Sequence, residues 1–132
     1  MGRFGAKSTM SRHWSRHPRL TSWNRPSKFG NRLTTLDGYT FGSAREAKEY
    51  LLLKAMLKSG AILQLDVHPV VELQPTPQRI TMIPDFHVVY AGTAPLREEW
   101  IEVKGVWTAA AKLKLKLWQA KFPQRVLRVV EV

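Results

Sequence analysis

The residues whose types and spacing could do chemistry are Pro84-Asp85 and the triplet Glu102-Val103-Lys104, with sixteen residues between Asp85 and Glu102. Hydrolysis of a phosphodiester needs an activated water and a way to neutralise the charge that builds around phosphorus. A hard divalent cation does both, and it needs carboxylate oxygens held close together. Asp85 and Glu102 each interrupt an apolar strand pattern, where an unpaired charge is costly. Residues two apart on a strand point the same way, so Lys104 joins Glu102 and could orient a water or stabilise a negative transition state. The backbone carbonyl of Val103 is a further candidate ligand. An all-oxygen set of this kind suits Mg²⁺, with Mn²⁺ as a substitute. The plain reading is that Asp85 merely follows a proline in a turn, and that Glu102 and Lys104 form one wet strand face.

Local signals predict the elements that must position these groups. Ser43 and Glu46 form an S-x-x-E capping box, residues 44–59 are rich in helix formers, and Gly60 stands where a left-handed cap belongs. Glu46, Tyr50, Leu53 and Leu57 make the inward stripe, with Lys48 and Glu49 off it. Glu46 could therefore reach the same metals, although the capping box alone accounts for it. Residues 36–41 around Asp37-Gly38 read as a short hairpin. Residues 62–73 predict one strand bent at Pro69, residues 78–90 a second, and residues 96–104 a third, with a turn at 91–95. Pairing Tyr90 with Leu96 sets Asp85 opposite Ile101, one residue from Glu102.

Residues 108–122 alternate like a strand at Lys112–Leu117, but the longer window favours a helix. Thr108 would cap it, Ala110, Leu113, Leu117 and Ala120 would form its apolar stripe, and Pro123 would end it. Residues 125–132 read as a buried strand reached by a helical crossover. The predicted fold is α/β, in the order helix, three strands, helix, strand: a mixed central sheet flanked by helices.

Charge is uneven along the chain. Residues 1–35 carry eight basic residues and no acidic one, and the remainder holds 13 basic against 10 acidic, out of a net charge of +11. This predicts a basic, irregular arm over residues 1–35 and a domain over residues 36–132. Arg12, Arg16, Arg19, Arg25, Lys28 and Arg32 in the arm, with Lys112 and Lys116 on the second helix, are the candidate contacts to a nucleic-acid backbone. Trp14 and Trp23 among the arginines could stack on bases or dock the arm. His13 and His17 lack a third ligand for a metal. An acid-free leader also fits a transit peptide, but Pro18, Pro26 and Gly30 break any sustained amphipathic helix. The absence of cysteine rules out thiol chemistry and suits a reducing cytoplasm. No segment is apolar enough to span a membrane.

Pro84-Asp85 followed by Glu102-Val103-Lys104 resembles the signature of the PD-(D/E)XK nuclease superfamily. Phe41-x-Ser43-x-x-Glu46-Ala47-x-x-Tyr50, Ile83-x-Asp85-Phe86 and Glu102-Val103-Lys104-Gly105 resemble more narrowly a group of small phage and prophage proteins within it. The likeness extends to Holliday junction resolvases and to the end-cleaving nuclease subunit of Tn-type transposons, and covers about residues 28–132. It implies an αβββαβ core, metal binding by Asp85 and Glu102, catalytic support from Lys104, and a metal or water contact from Glu46. It also implies a DNA substrate, a host cytoplasmic location if phage-encoded, and, for junction cleavage, a homodimer supplying two sites.

The competing function is a non-catalytic nucleic-acid-binding or ribonucleoprotein component that works through the arm. RNA is a substrate the same carboxylate chemistry allows. His87 shares the predicted strand face of Asp85 and reads as buried or substrate-facing rather than as a ligand. His68, ahead of Pro69, has no evident partner. Trp107 reads as packing on the second helix.

Overall fold

The computed structural model describes residues 33–132. The arm candidates Arg12, Arg16, Arg19, Arg25, Lys28 and Arg32, with His13, Trp14, His17 and Trp23, lie outside the described residues. Thr34–Leu36 (β1) and Tyr39–Phe41 (β2) pair antiparallel, with Leu36 opposite Tyr39. Asp37 and Gly38 join them at φ 52 and 84, the pair of left-handed residues that a two-residue I′ turn requires. The first strand thus begins two residues before the predicted arm–domain boundary.

The first helix, α1 (Ala44–Ser59), starts and stops where its caps predict. Ser43 Oγ accepts the Glu46 N–H at 3.1 Å, and Gly60, at φ 87, donates its N–H to the last-turn carbonyls. Glu46, Tyr50 and Leu53 face inward, as the stripe predicts. The stripe is wrong at both flanks: Leu57 is 40% exposed, and Glu49 is buried. Glu49 tolerates burial because the Arg128 guanidinium lies 3.7 Å from its carboxylate.

The rest of the chain forms β3 (Ile62–Val67), β4 (Val71–Gln74), β5 (Ile80–Met82), β6 (Phe86–Tyr90), β7 (Glu98–Lys104), α2 (Ala109–Lys121) and β8 (Leu127–Glu131). The main sheet has the order β3-β6-β7-β8, antiparallel except for the parallel β7–β8 pair that α2 connects. The order α1-β3-β6-β7-α2-β8 is the expected αβββαβ in a mixed sheet. Two of the three predicted middle strands are each divided, however. His68, at φ 55, and Pro69 end β3, so β4 leaves the main sheet and pairs with β5 as a separate hairpin. Pro84 does the same between β5 and β6, because proline cannot donate to a ladder. Asp85 consequently sits at a bend just ahead of β6, not within a strand.

Two apolar clusters lie on opposite sides of the sheet. Phe41, Tyr50, Leu53, Ile62, Phe86, Val88 and Ile101 pack under α1, and Val71, Leu73, Met82, Trp100 and Trp118 pack under α2. Neighbouring Trp100 and Ile101 go to different clusters, so β7 is covered on both faces, as period-two alternation demands. The second helix is capped by Thr108, whose Oγ1 accepts the Ala111 N–H at 3.1 Å. Its buried face keeps only Leu117 of the predicted stripe, which packs beside Trp118. Ala110, Leu113 and Ala120 are exposed, and Trp118 at 1% exposure, flanked by partly buried Leu115 and Phe122, faces the sheet. The bulky indole sets the rotation: it packs edge-on against Trp100 with ring centroids 5.5 Å apart. Nor is β8 a fully buried strand. It is the last strand in the sheet and has β7 as its one neighbour, so Leu127, Val129 and Val130 are only half-buried.

Trp118→Ala should lower unfolding free energy by about 3–5 kcal/mol, whereas Leu113→Ala should change it by less than about 0.5 kcal/mol. Urea titrations followed by circular dichroism measure both, and comparable losses would refute this orientation of α2.

Candidate metal and catalytic site

The register of β6 on β7 brings the acids together. Phe86 lies opposite Ile101, so the next pair outward is Asp85 with Glu102, and the Asp85 N–H donates to the Ile101 carbonyl at 2.9 Å. The predicted register is off by one residue. The loop after β6 takes up Leu96, and the Tyr90 N–H bonds the carbonyl of Arg97 instead. The shift brings the two acids closer in level than predicted.

Asp85 Oδ2 accepts the backbone N–H of Val103 at 2.6 Å. That N–H, rather than the predicted carbonyl ligand, is the part of Val103 the structure shows engaged. Glu102 Oε2 lies 2.9 Å from Lys104 Nζ, and both side chains sit on one strand face, as predicted. The other oxygen, Glu102 Oε1, is buried with no hydrogen-bond partner among the described residues. Glu46 reaches the same place from the first turn of α1. Its Oε1 accepts the Gly42 N–H at 3.3 Å, a capping contact displaced by one residue from the usual box, and its Oε2 lies 2.9 Å from His68 Nε2. Glu46, Asp85, Glu102, Val103 and Lys104 all line one cavity of about 670 Å³, together with Arg45.

Burial pushes the Asp85 carboxyl up to about 8, and the Glu46 carboxylate adds to this, with Glu102 a weaker contributor; only the Val103 N–H pulls it down. Three carboxyl groups thus converge in a largely desolvated place with one lysine among them. Buried like charges resist joint ionisation unless a cation offsets them. The unpartnered Glu102 oxygen and the hard donor set fit a divalent ion.

Glu46, His68 and Asp85 offer ligand atoms within 4.8 Å of one another. This set contains a histidine that the sequence left without a partner, and it omits Glu102. The signal was available in the pairing of β3 with β6: Val67 lies opposite Phe86, so the next residue outward, His68, is level with Asp85 and donates its N–H to the Asp85 carbonyl at 2.9 Å. His87 is elsewhere. Its ring nitrogens lie 2.8 Å from Asp66 and 2.7 Å from Glu98, and it stacks on Trp100 at 4.5 Å. That is the buried reading, on the β3–β6–β7 surface away from the cavity. Trp107 borders a small crevice with Ala111, Lys114 and Leu115, the packing role expected of it. Lys112 and Lys116 are exposed on α2 and do not line the large cavity.

A raised carboxyl pKa means that the folded protein keeps a proton the unfolded chain has released, so folding stability falls as pH rises from about 4 to about 8. Asp85→Asn removes this dependence while leaving an oxygen for the Val103 N–H. In metal-free buffer the variant should therefore match the wild type near pH 4 and melt progressively higher than it toward pH 8.5. A constant difference in Tm across that range would show that Asp85 is not the strained group.

Among the described residues no helix is long and apolar enough to cross a membrane. No curated protein and no solved structure matches the chain significantly. A family model described as "Protein of unknown function (DUF1064)" matches residues 26–131, and with most of its length covered the chain belongs to that family.

Proposed function

We propose that the protein is a Mg²⁺-dependent endodeoxyribonuclease, with Mn²⁺ as an alternative ion. The observation that carries this reading is the convergence of Glu46, Asp85, Glu102 and Lys104 on one cavity, with a buried Glu102 oxygen left unpartnered. A divalent ion held by these acids supplies charge neutralisation and a more acidic water. Glu46 and Asp85 would hold it from one side and Glu102 from the other. The Val103 N–H keeps the Asp85 carboxylate aimed inward, and the pairing of β6 with β7 keeps it level with Glu102. Lys104, restrained by Glu102 at 2.9 Å, presents an ammonium where charge on a scissile phosphate would develop.

The substrate reading rests on charge. The chain carries a net charge of +11, with eight basic and no acidic residues in 1–35, and Arg45 adds a cation to the cavity lining. Basic residues of this kind would hold a phosphate backbone without reading sequence. The likeness to junction-cleaving nucleases makes branched DNA the first substrate to offer, beside linear duplex and single strands.

Wild-type protein should cleave one of these DNAs with Mg²⁺ or Mn²⁺ and not in EDTA. Asp85→Ala and Glu102→Ala should each slow cleavage by on the order of 10³-fold, and Lys104→Ala by roughly 10²–10³-fold. DNA binding in EDTA should persist, or tighten for the two acid variants, because each removes a negative charge near the phosphates. Intact binding without cleavage under either ion would instead leave a binding protein that works through its basic residues.

A further inference from the structure

His68 holds one of the two left-handed positions taken by residues other than glycine among the described residues. Its φ of 55 is left-handed, a conformation uncommon for any residue but glycine, though histidine, like asparagine and aspartate, adopts it more readily than most. Proline follows it, and its N–H is tied to the carbonyl of Asp85. These restraints turn the imidazole off the end of β3 toward Glu46, leaving it about one-third exposed beside a nearly buried carboxylate. A backbone outlier fixed by its surroundings at a cluster of acids points to a positional role for the ring. A hydrogen bond to Glu46 alone would not need Asp85 within the same 4.8 Å. Three donor atoms that close fit around one ion, since ligands at about 2.1–2.2 Å from a metal lie roughly 3–4 Å apart.

We infer that His68 is a direct metal ligand, forming with Glu46 and Asp85 a two-carboxylate, one-imidazole set that selects Mn²⁺ or a later first-row dication over Mg²⁺. This rests on the metal-binding part of the function proposed above and shifts its preferred ion from Mg²⁺ to Mn²⁺. Imidazole nitrogen is a poor ligand for Mg²⁺, which prefers oxygen and keeps its water, but a good one for transition metals. The nitrogen therefore adds affinity for one class of ion and little for the other. Glu102 stands outside this set. The residue borders the same cavity, and its one oxygen without a hydrogen-bond partner is buried there.

The test is made on the full chain with each metal alone. Isothermal titration with MnCl₂ and with MgCl₂ should show saturable binding, with Mn²⁺ tighter by at least about tenfold. His68→Asn tolerates the left-handed backbone and withdraws the ring. It should weaken Mn²⁺ by about tenfold or more while changing Mg²⁺ by less than about threefold. Electron spin echo modulation of the Mn²⁺-loaded wild type should show a directly bound imidazole nitrogen that His68→Asn abolishes. Should that variant fail to fold, the spectrum of a protein carrying His13→Gln, His17→Gln and His87→Gln decides, because His68 is then the only histidine of the four. Saturable binding of both ions with no imidazole nitrogen overturns the assignment of His68 and leaves the nuclease reading standing. Failure of both ions to bind the wild type overturns both readings.

Discussion

Asp85 is a buried carboxyl set between two others, and much of the local architecture can be understood as what makes that tolerable. Each acid has at least one compensating group, two of them from β7 and the others from the chain ahead of α1 and the end of β3. Val103 on β7 donates its N–H to Asp85, Lys104 approaches Glu102, and His68 at the end of β3 approaches Glu46. Glu46 also sits in the first turn of α1, where the helix dipole favours a negative charge. These contacts fall short of full compensation, as the elevated Asp85 carboxyl and the unpartnered Glu102 oxygen both show. That deficit of positive charge is what the proposed cation would offset.

A second group of buried charges gives the contrast that makes this meaningful. Glu49 and Glu99 are as buried as Glu102, yet Arg128 lies 3.0 Å from Glu99 and 3.7 Å from Glu49, and the Tyr90 hydroxyl donates to Glu99 at 2.7 Å. That network joins α1, β6, β7 and β8 and is satisfied from within, so it reads as structural. It also explains why α1 carries a buried glutamate in the middle of its length. The two sets face different requirements: one binds the elements together, and the other is left open on a cavity.

The placement of the open set follows from strand ends. Asp85 and His68 both lie one residue outside the regular pairing of β3 with β6, where the ladder stops and side chains are released from strict alternation. Pro69 and Pro84 enforce those stops, and the β4–β5 hairpin they release covers the α2 side of the sheet through Val71, Leu73 and Met82. The same prolines thus close one face of the domain and end the strands at the level of the site.

Much of this was legible in the chain itself. Ser43, Glu46 and Gly60 marked α1 to the residue, because caps act through local hydrogen bonds and φ preferences that short spacing encodes. Asp37-Gly38 declared its turn for the same reason. Glu102 and Lys104 were bound to share a face, since a strand alternates whatever it pairs with. Other features depended on partners far away in sequence. The face of α2 was set by Trp118 meeting Trp100, not by the leucines of its own pattern, and the burial of Glu49 was set by Arg128. The level of Asp85 against Glu102 depended on how many residues the loop after Tyr90 consumed. His68 gained its neighbours only when β3 was laid beside β6, because its contacts to Glu46 and Asp85 span 22 and 17 residues. Local chemistry therefore determined which residues could act, and long-range packing alone decided which of them meet.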